Sequence, residues 1–524
     1  IPLAAILIAA GTGCGKEKFN INQNINSPTD STVTYDVVLP AALHASGTII
    51  ANQWGTTRNW MGAWARSGTY APSVTEEAYQ ITTAFGNGVW NACYDNNYDY
   101  QIVQTKAAVA GAGFYEGIAR IMKAQNFQIL VDVYGNVPYT QALKGSSNPT
   151  PGYDNGVDIY KNLFRELDAA ITLIKGASMA ATGPNKNIAT NDIVFAGDKG
   201  KWVRFANTLK LRLLIHAYAV AGFPVAAEMA IINAEGSGFL ATGEDVQVQP
   251  GYKSDKPNPF YDNYKLDVTG AAPQNAVYYK ANEWGIEYFK YNNDGRTTRV
   301  YEAGLNGLVG VKYGLPPVNA NAAANLAGIG PAIYKTNTSP QIIMSAAESF
   351  FLQAEARWRN IITSGPTVAT LTNAGIQESF TYMGVASGFS AYVTGNAGYS
   401  DVDVTAPSNA PSSPAGTAPV GGLFTIITQK WFALSTITPL EVWTDYRRVS
   451  YNQVVPASTV NDIFVYGQGV GFNPGPPLSV APQNTATKIP VRYLYPQTEY
   501  NYNAANVGAQ GSITPYSKVF WDIN

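Results

Sequence analysis

Apolar residues recur at three- and four-residue steps across residues 157–175, and this spacing limits the possible folds more than any other feature of the sequence. Charged residues such as Lys161 fill the positions between them. The apolar set is Ile159, Leu163, Leu167, Ile171 and Ile174. Because side chains at these steps share one face of an α-helix, the segment is predicted to be an amphipathic helix with that face buried.

Comparable apolar patterns predict further helices, separated by Pro and Gly breakers. The predicted helices cover residues 104–133, 200–221, 224–234, 342–362 and 425–435. A helix of this kind buries its apolar face by stacking on another, as helix pairs do in tetratricopeptide arrays. The sequence therefore predicts a mainly α protein built on a scaffold of tetratricopeptide-like helix pairs.

Two long segments, residues 237–340 and 384–424, interrupt the helical pattern. Both are rich in Gly, Pro, Asn, Thr and Ala, and both are longer than ordinary connections, which is typical of functional or disordered insertions. The first holds more aromatic residues than a solvated linker would. They include Tyr252, Phe260, Tyr261, Tyr264, Tyr278, Tyr279, Trp284, Tyr288, Phe289 and Tyr291. We expect the first insertion to carry the ligand site and the second, whose one ring between residues 396 and 421 is Tyr399, to be a surface loop.

The charge of the chain excludes one class of partner. Charged residues make up 13% of the sequence and the formal net charge is −2, so the basic surface that nucleic acid requires is missing. Binding must then depend on neutral groups. The 33 Tyr and 10 Trp residues supply these as flat rings with polar tips.

Catalytic and metal chemistry find little support in the residue inventory. The two histidines, His44 and His216, lie in apolar helical contexts and are predicted to be packed helix residues, so we expect no metal site and no cofactor. Oxygen ligands occur at residues 95–97 and 154–156, but neither stretch forms a recognisable Ca²⁺ loop. A glycosidase pair of carboxylates stays open as an alternative. The carboxylates nearest to aromatic residues are Glu76, Glu77, Asp95 and Asp99.

A first aromatic cluster comprises Trp54, Trp60, Trp64 and Tyr70, with Asn59 and Arg66 between them. Such rings stack on the C–H faces of sugars while amide and guanidinium groups bond to hydroxyls, and peptides use the same kind of surface. The alternative is that the rings pack against the helices, since Trp is usually mostly buried. We hypothesise that this cluster converges on one surface cleft with a second set of rings, Tyr261, Tyr264, Tyr278 and Tyr279.

The beginning of the chain carries a targeting signal. Residues 1–10 form an uninterrupted apolar run, too short to span a bilayer, and small residues 11–13 precede Cys14. This order resembles a bacterial lipobox, in which the thiol is lipidated, although an ordinary apolar strand is the alternative. Residues 1–13 are therefore interpreted as a signal-peptide remnant, and residues 14–34 as a lipid anchor and polar tether. The other cysteine, Cys93, is predicted to be a buried thiol inside a helix.

Several motifs appear in a fixed order along the chain. Residues 120–139 end in Asp132-Val133-Tyr134-Gly135-Asn136-Val137-Pro138-Tyr139. Three further stretches follow at 201–212, 345–356 and 429–431. The C-terminal part adds residues 441–448, residues 488–496 and the closing Phe520-Trp521-Asp522.

Together these motifs resemble the SusD/RagB family, surface lipoproteins that cap TonB-dependent nutrient importers. The resemblance implies about four helix pairs and one domain over residues 35–524 that contains the two insertions. It also implies a lipid anchor on the outer face of the outer membrane, no enzymatic activity, and a SusC-like TonB-dependent barrel as the partner. The protein would act as the lid of that barrel and capture an oligomeric nutrient in a cleft that faces it.

The ligand class stays open within the family, because members bind glycans or peptides. The low charge and the many Tyr and Trp residues favour an oligosaccharide. A surface glycoside hydrolase is a second alternative, and a structural or adhesion protein, with both aromatic clusters buried, is a third.

The charged residues of the motifs are predicted to be structural. Glu348 and Glu355 lie in an apolar helix, and Arg447 and Arg448 follow Trp443, so these charges must be paired if they are buried. Gly135 and Pro138 are expected to end a helix and form a turn.

Overall fold

The structure, a computed structural model, describes residues 33–399, 401–406, 422–449 and 476–523. Cys14 and most of the predicted tether lie outside the described residues. The helices in chain order are α1 Tyr35–Asn52, α2 Gly55–Trp60, α3 Val74–Glu77, α4 Asn87–Ala110, α5 Gly113–Tyr134, α6 Gly156–Gly176, α7 Ile188–Asn191, α8 Lys199–Ala217, α9 Val225–Glu235, α10 Pro259–Tyr264, α11 Gln274–Tyr278, α12 Glu283–Tyr291, α13 Thr297–Val300, α14 Pro331–Tyr334, α15 Ala346–Trp358, α16 Val368–Tyr382, α17 Phe389–Gly395, α18 Gly422–Leu434, α19 Pro439–Arg448, α20 Gln497–Tyr502 and α21 Ala504–Gly508.

The strands are short, and within the described ranges they pair two by two. They are β1 Trp64–Arg66, β2 Val137–Pro138, β3 Tyr153–Asp154, β4 Val246–Val248, β5 Tyr279–Ala281, β6 Tyr301–Glu302, β7 Gly328–Ile329 and β8 Gln341–Met344. The antiparallel pairs are β1 with β5, β2 with β3, β4 with β8, and β6 with β7. Each of these sheets has only two strands, so the sheets form no layer of their own.

The long helices form one continuous packed series. Helix α4 packs between α1 and α5, α5 packs on α6, and α6 packs on α8. The series continues from α8 to α15, which contacts both α16 and α18, and it ends with α18 against α19. The predicted mainly α fold with a helix-pair scaffold is therefore confirmed.

Helix α6 agrees closely with its prediction. It covers Gly156–Gly176, and its apolar stripe is buried as expected, including Leu163 at 1% exposure and Leu167 at 0%. The charged residue Lys161 lies on the exposed face. The three- and four-residue spacing thus identified both the helix and its buried side.

Two predicted helices have wrong boundaries. The one predicted at 104–133 is two helices, α4 and α5, because Gly111 adopts a left-handed conformation with φ 69° and ends α4. The one predicted at 342–362 begins as strand β8, whose four residues are all buried. A short buried apolar run has the same pattern in a strand and in a helix, so periodicity could not separate them. Ser345 then caps α15 by accepting a hydrogen bond from the backbone of Glu348.

Other helices gave no clear sequence signal. Helix α1 contains Pro40 and buries small residues such as Ser46 and Gly47 beside Leu43. Its buried face is therefore not marked by a stripe of large apolar residues. Helix α16 likewise buries Thr372, Gly375 and other small or polar residues.

The first insertion is more ordered than predicted. Residues 237–340 contain helices α10 to α14 and strands β4 to β7. Of the ten aromatic residues named for it above, five belong to the main core: Phe260, Tyr264, Trp284, Tyr288 and Phe289. The richness of this insertion in rings thus reflects packing as well as any function. In the second insertion, Tyr392 of α17 is buried, whereas Tyr399 is 50% exposed.

A buried set of charges, here called the ion network, joins α5, α8, α15, α18 and α19. Its carboxylates are Asp132, Glu348, Glu355, Glu441 and Asp445, and its cations are Arg212, His216, Lys430, Arg448 and, at its edge, Arg359. These residues come from the sequence motifs or from helices packed against them.

The distances within the ion network confirm the predicted pairing of Glu348, Glu355 and Arg448. Arg448 lies 2.5 Å from Glu355 and 2.7 Å from Asp445, and Arg212 donates to Glu348 at 2.8 Å. Arg447 differs, because it donates to the backbone carbonyls of Asp132 and Val491 and has no carboxylate partner in the ion network. Its guanidinium also lies 3.8 Å from the Trp443 ring centre.

Candidate functional site

Strand pairing brings the two predicted aromatic segments together. Trp64 of β1 lies opposite Ala281 of β5, and Arg66 lies opposite Tyr279. The chain leaves β1 through residues 67–70 and enters β5 from α11, so Tyr70 and Tyr278 reach the same place. We call Tyr70, Tyr278 and Tyr279 the tyrosine platform.

The rings of the tyrosine platform are in contact with each other. The ring centres of Tyr70 and Tyr278 are 5.4 Å apart, and those of Tyr278 and Tyr279 are 4.9 Å apart. All three side chains are partly exposed. Trp64 lies beneath them, 5.3 Å from Tyr279, and is completely buried. The site therefore has an outer tier open to solvent and a packed base.

Arg66 holds the loop that carries Tyr70 and does not face solvent. Its guanidinium forms a two-pronged ion pair with Glu77 and donates to the carbonyls of Tyr70 at 2.7 Å and Leu315 at 2.9 Å. At 2% exposure it has no free edge for a ligand. The predicted contact between Arg66 and the ligand is therefore wrong, and the residue instead positions Tyr70.

A third segment, residues 315–323, completes the site and was not among the predicted site residues. The Gly68 amide donates to the Asn321 carbonyl at 2.7 Å, and the Ala323 amide donates to Thr69 Oγ1 at 2.9 Å. A Cβ on Gly68 would lie 1.7 Å from Asn321 Oδ1, so the close approach requires glycine. The proline pair within this segment, Pro316-Pro317, predicts a loop, but no sequence signal shows where that loop packs.

Trp54, Asn59 and Trp60 are buried, which contradicts their predicted place on a ligand surface. They are 1%, 1% and 0% exposed, respectively. The Trp60 ring contacts four other rings, those of Tyr79, Phe85, Trp443 and Tyr493. The short helix α2 carries these residues into the core, so the alternative that the rings pack against the helices is correct for this part of the cluster. Trp64, beneath the tyrosine platform, is buried in the same way.

The remaining two predicted rings both lie on α10, and they differ in exposure. Tyr264 is 2% exposed and packs 5.3 Å from Trp64, so it belongs to the base of the site. Tyr261 is partly exposed and lies 6.2 Å from the ring of Tyr334. Of the ten predicted site residues, Tyr70, Tyr261, Tyr278 and Tyr279 reach the surface. Ligand contact by these four stays a prediction.

The carboxylates of the hydrolase alternative differ in their environments. Glu77 is 1% exposed and engaged by Arg66, while burial raises the pKa of Glu76 above its ordinary value. Asp95 and Asp99 lie on α4, where Asp95 is exposed and burial together with the charge of Asp95 raises the pKa of Asp99. Glu77, held by Arg66, is not free to act on a substrate.

Among the described residues, Asp132, His216 and Glu441 lie close enough to bind a cation together. His216 Nδ1 is 3.3 Å from Asp132 and Nε2 is 3.1 Å from Glu441. Although burial alone would lower it, the two carboxylates raise the pKa of His216 above its ordinary value. Each ring nitrogen faces a carboxylate oxygen, which accepts hydrogen bonds, so both nitrogens are placed to donate and neither is directed to a metal. We therefore assign this group to the ion network.

The two histidines meet their predictions differently. His216 is a packed helix residue, as expected, and it contacts the charged Asp132 and Glu441 as well as the ring of Trp521. His44 is only partly buried, with its ring 5.8 Å from that of Tyr252, so it is not the packed residue that was predicted. Partial burial lowers the pKa of His44. Cys93 is a buried free thiol, as predicted.

Asp154, considered for Ca²⁺, has a structural partner. Its carboxylate accepts hydrogen bonds from the backbone amides of Tyr139 at 3.0 Å and Thr140 at 2.9 Å. It therefore closes the turn after α5, where Gly135 ends the helix with φ 82° as predicted. Within the described ranges, no helix has both the length and the apolar character needed to cross a bilayer.

Comparison with known proteins identifies the family. Residues 28–465 match the family described as SusD-like, starch-binding and associating with the outer membrane. Because this match covers most of the chain, the protein belongs to the SusD-like family. No curated protein sequence matches the chain.

Solved structures share the fold at low sequence identity. A chitin-binding SusD homologue from Flavobacterium johnsoniae has a TM-score of 0.69 and 22% identity, with 93% of this chain and 99% of that chain covered. A putative outer membrane protein from Bacteroides vulgatus, described as probably involved in nutrient binding, has a TM-score of 0.71 and 18% identity, covering 94% and 100%. A SusD homologue from Bacteroides uniformis has a TM-score of 0.70 and 22% identity, covering 93% and 99%.

Proposed function

We propose that this protein is a lipid-anchored, non-enzymatic binding protein of the bacterial cell surface that captures an oligosaccharide on the tyrosine platform. It then acts as the lid of a SusC-like TonB-dependent transporter in the outer membrane. An oligopeptide is the alternative ligand, because peptides also bind to aromatic surfaces.

The single observation that carries the binding role is the partly exposed contact between Tyr70 and Tyr278. Two loops that are distant in sequence supply one ring each, and backbone hydrogen bonds hold both loops in place, including Ser67 N to Tyr278 O at 2.8 Å. Rings fixed in this way lose little conformational freedom when a ligand stacks on them. The tyrosine platform is thus a preformed surface on which a flat, apolar face of a ligand can stack.

Two further facts favour a glycan. The family is described as starch-binding, and a structural relative from Flavobacterium johnsoniae is described as chitin-binding. Arg66, beside the platform, is already neutralised by Glu77. A surface of aromatic rings suits the C–H face of a sugar better than it suits a charged peptide terminus.

Isothermal titration calorimetry tests this proposal with two families of ligands. The parent protein is titrated with malto- and chito-oligosaccharides and with short neutral peptides. We expect oligosaccharide binding, and we expect Tyr278→Ala to weaken it by ~1–3 kcal/mol, by analogy with the loss of one base-stacking ring. Tyr70→Ala should have a similar effect because its ring is the partner of Tyr278.

Tyr399→Ala is the matched control, since Tyr399 is 50% exposed on another loop and should not affect affinity. Equal affinity in the Tyr278 variant and this control would place the site elsewhere. Binding of peptides alone would replace the glycan with the alternative ligand. Hydrolysis of any oligosaccharide by the parent protein would overturn the non-enzymatic role.

The anchor is tested separately through Cys14. When the protein is produced in a Bacteroidetes host without its barrel partner, Cys14→Ala should release it from the outer membrane, because stable attachment requires acyl chains. The variant should keep its fold, as judged by circular dichroism. Membrane fractionation identical to that of the parent would refute the lipoprotein assignment.

A further inference from the structure

A separate cavity of about 390 Å³ lies within the helical scaffold, between α4, α5 and α6. Residues 139–144, which follow α5, close one end of it. None of these elements contributes to the tyrosine platform. A volume of this size falls in the range of pockets that hold small molecules.

The unusual group in this cavity is the ammonium of Lys123. Its Nζ donates to Gln101 Oε1 at 2.6 Å and to Gln104 Oε1 at 2.8 Å, and both acceptors are neutral. An ammonium has three donors, so one remains for another acceptor. No carboxylate of the described residues forms a salt bridge with Lys123, although buried charges are normally paired. Burial lowers the pKa of Lys123 to about 8.

The other cations of the cavity differ from Lys123. Arg120 is already engaged by Glu166 at 2.6 Å and by Glu116 at 2.9 Å. Lys144 is exposed in the segment that closes one end, where it can attract an anion but remains hydrated. Glu166, the carboxylate in the lining, acts on Lys123 electrostatically without a salt bridge. The three cations of the cavity thus face two carboxylates, Glu116 and Glu166, and this balance corresponds to a ligand with one negative charge.

The rest of the wall suits a ligand with hydroxyl groups and an apolar face. Tyr139 donates to Asn162 Oδ1 at 2.5 Å, so the remaining amide donors of Asn162 and the Tyr139 oxygen are available as partners. The Tyr139 ring is held by Phe127, with ring centres 4.7 Å apart, and Leu163 adds an aliphatic surface. Aromatic rings with amide groups beside them are the usual surroundings of a sugar.

We propose that this cavity is a second binding site, which takes a sugar acid with a single carboxylate, of the hexuronic acid class. The carboxylate accepts the third N–H of Lys123, and the sugar ring lies along Tyr139. A neutral sugar would offer no charged acceptor to the third N–H of Lys123. Inorganic phosphate would pair with the Lys123 ammonium, but it would not stack on the Tyr139 ring or bind the amide of Asn162.

Calorimetry with three probes tests the site: galacturonate, galactose and inorganic phosphate. Galacturonate should bind, and galactose should bind at least tenfold more weakly because a neutral hydroxymethyl group replaces the carboxylate. In Lys123→Met the affinity for galacturonate should fall roughly 10- to 100-fold, as expected for the loss of a charge-assisted hydrogen bond. Lys161→Met, on the exposed face of α6, is the matched control and should bind like the parent.

Thermal unfolding of each variant tests whether the fold is intact. If Lys123→Met unfolds early, Lys144→Ala at the end of the cavity replaces it, with a smaller expected loss of about twofold to fivefold from weaker attraction. Tyr278→Ala should bind galacturonate normally, which separates this site from the tyrosine platform. Equal affinity for galactose and galacturonate, binding of phosphate alone, or no binding of any probe would each overturn the proposal.

Discussion

The ion network buries its charged residues, whereas the tyrosine platform leaves its aromatic residues partly exposed. In the ion network, charges such as Arg448 and Glu355 are nearly inaccessible and are paired with other charges of the network. In the tyrosine platform, Tyr70 and Tyr278 are partly exposed although neighbouring rings such as Trp64 are buried. The network joins helices, whereas the platform joins loops. The residues that identify the family are thus not the residues expected to meet the ligand.

The largest effect is expected from breaking the ion network at Glu355. Glu355→Ala removes the carboxylate that Arg448 and Arg359 share. The buried charge of Arg448 is then compensated only in part, by Asp445. We expect a loss of about 3–5 kcal/mol in the free energy of unfolding, measured by urea denaturation. Glu302→Ala, which removes an exposed partner of Lys265, is the control and should change stability by no more than about 1 kcal/mol. Similar small losses in both variants would mean that the network does not hold the helices together.

Trp60 and Tyr278 provide a direct contrast, because the sequence placed both on the ligand surface. Trp60→Ala should lower the free energy of unfolding by about 3–5 kcal/mol, since its ring is completely buried. Tyr278→Ala should affect stability less and affect ligand affinity instead. Urea denaturation and calorimetry on both variants separate the two outcomes. A Trp60 variant that keeps its stability but binds the ligand more weakly would place Trp60 on the ligand surface and not in the core.

The smallest effect is a difference between the two histidines in their pKa values. The pKa of His216 is raised by Glu441 and Asp132, whereas that of His44 is lowered, first by burial and then by Lys256. Two separate imidazole titrations are therefore expected by NMR, on opposite sides of ~6.5. His44→Gln assigns them by removing the lower one. Titration of both histidines at one pH would contradict the imidazolium in the ion network.

The same histidine links stability to pH. The folded state keeps a proton on His216 that the unfolded chain loses above ~6.5. The stabilisation from this site is complete below that pH, and it is lost as the pH rises through the folded-state pKa. Urea denaturation at a series of pH values should show this decline in the parent protein. A free energy of unfolding that instead rises over this range would show that His216 is neutral in the fold.

The sequence predicted the scaffold because periodicity reports burial directly. Helix α6 was located with its correct buried face, and the motifs predicted the paired charges Glu348, Glu355 and Arg448. The strand β8 was missed because a short buried apolar run looks the same in a strand and in a helix. Helix α1 was missed because small residues form much of its buried face.

The site was predicted less well, for a physical reason. Periodicity cannot decide whether a ring in a loop faces solvent or the core, and this choice separates Tyr70 from Trp60. It depends on contacts with distant segments, such as the hydrogen bond from Ala323 to Thr69. The cavity near Lys123 had one faint signal, a lysine between Met122 and Ala124 in an apolar helix, but its unpaired state is visible only in three dimensions.

The pairing of β1 with β5 also bears on the order in which the protein folds. Asn282 Nδ2 donates to the carbonyl of Trp64 at 3.3 Å across 218 positions of sequence. Neighbouring helices such as α4 and α5 are close in sequence and can associate early, whereas contacts of such long range form slowly because a large loop must close first. During synthesis, Trp64 and the rings around it must wait until the ribosome has completed the first insertion. We therefore expect this region to acquire protection from hydrogen exchange later in refolding than the pair of α4 and α5.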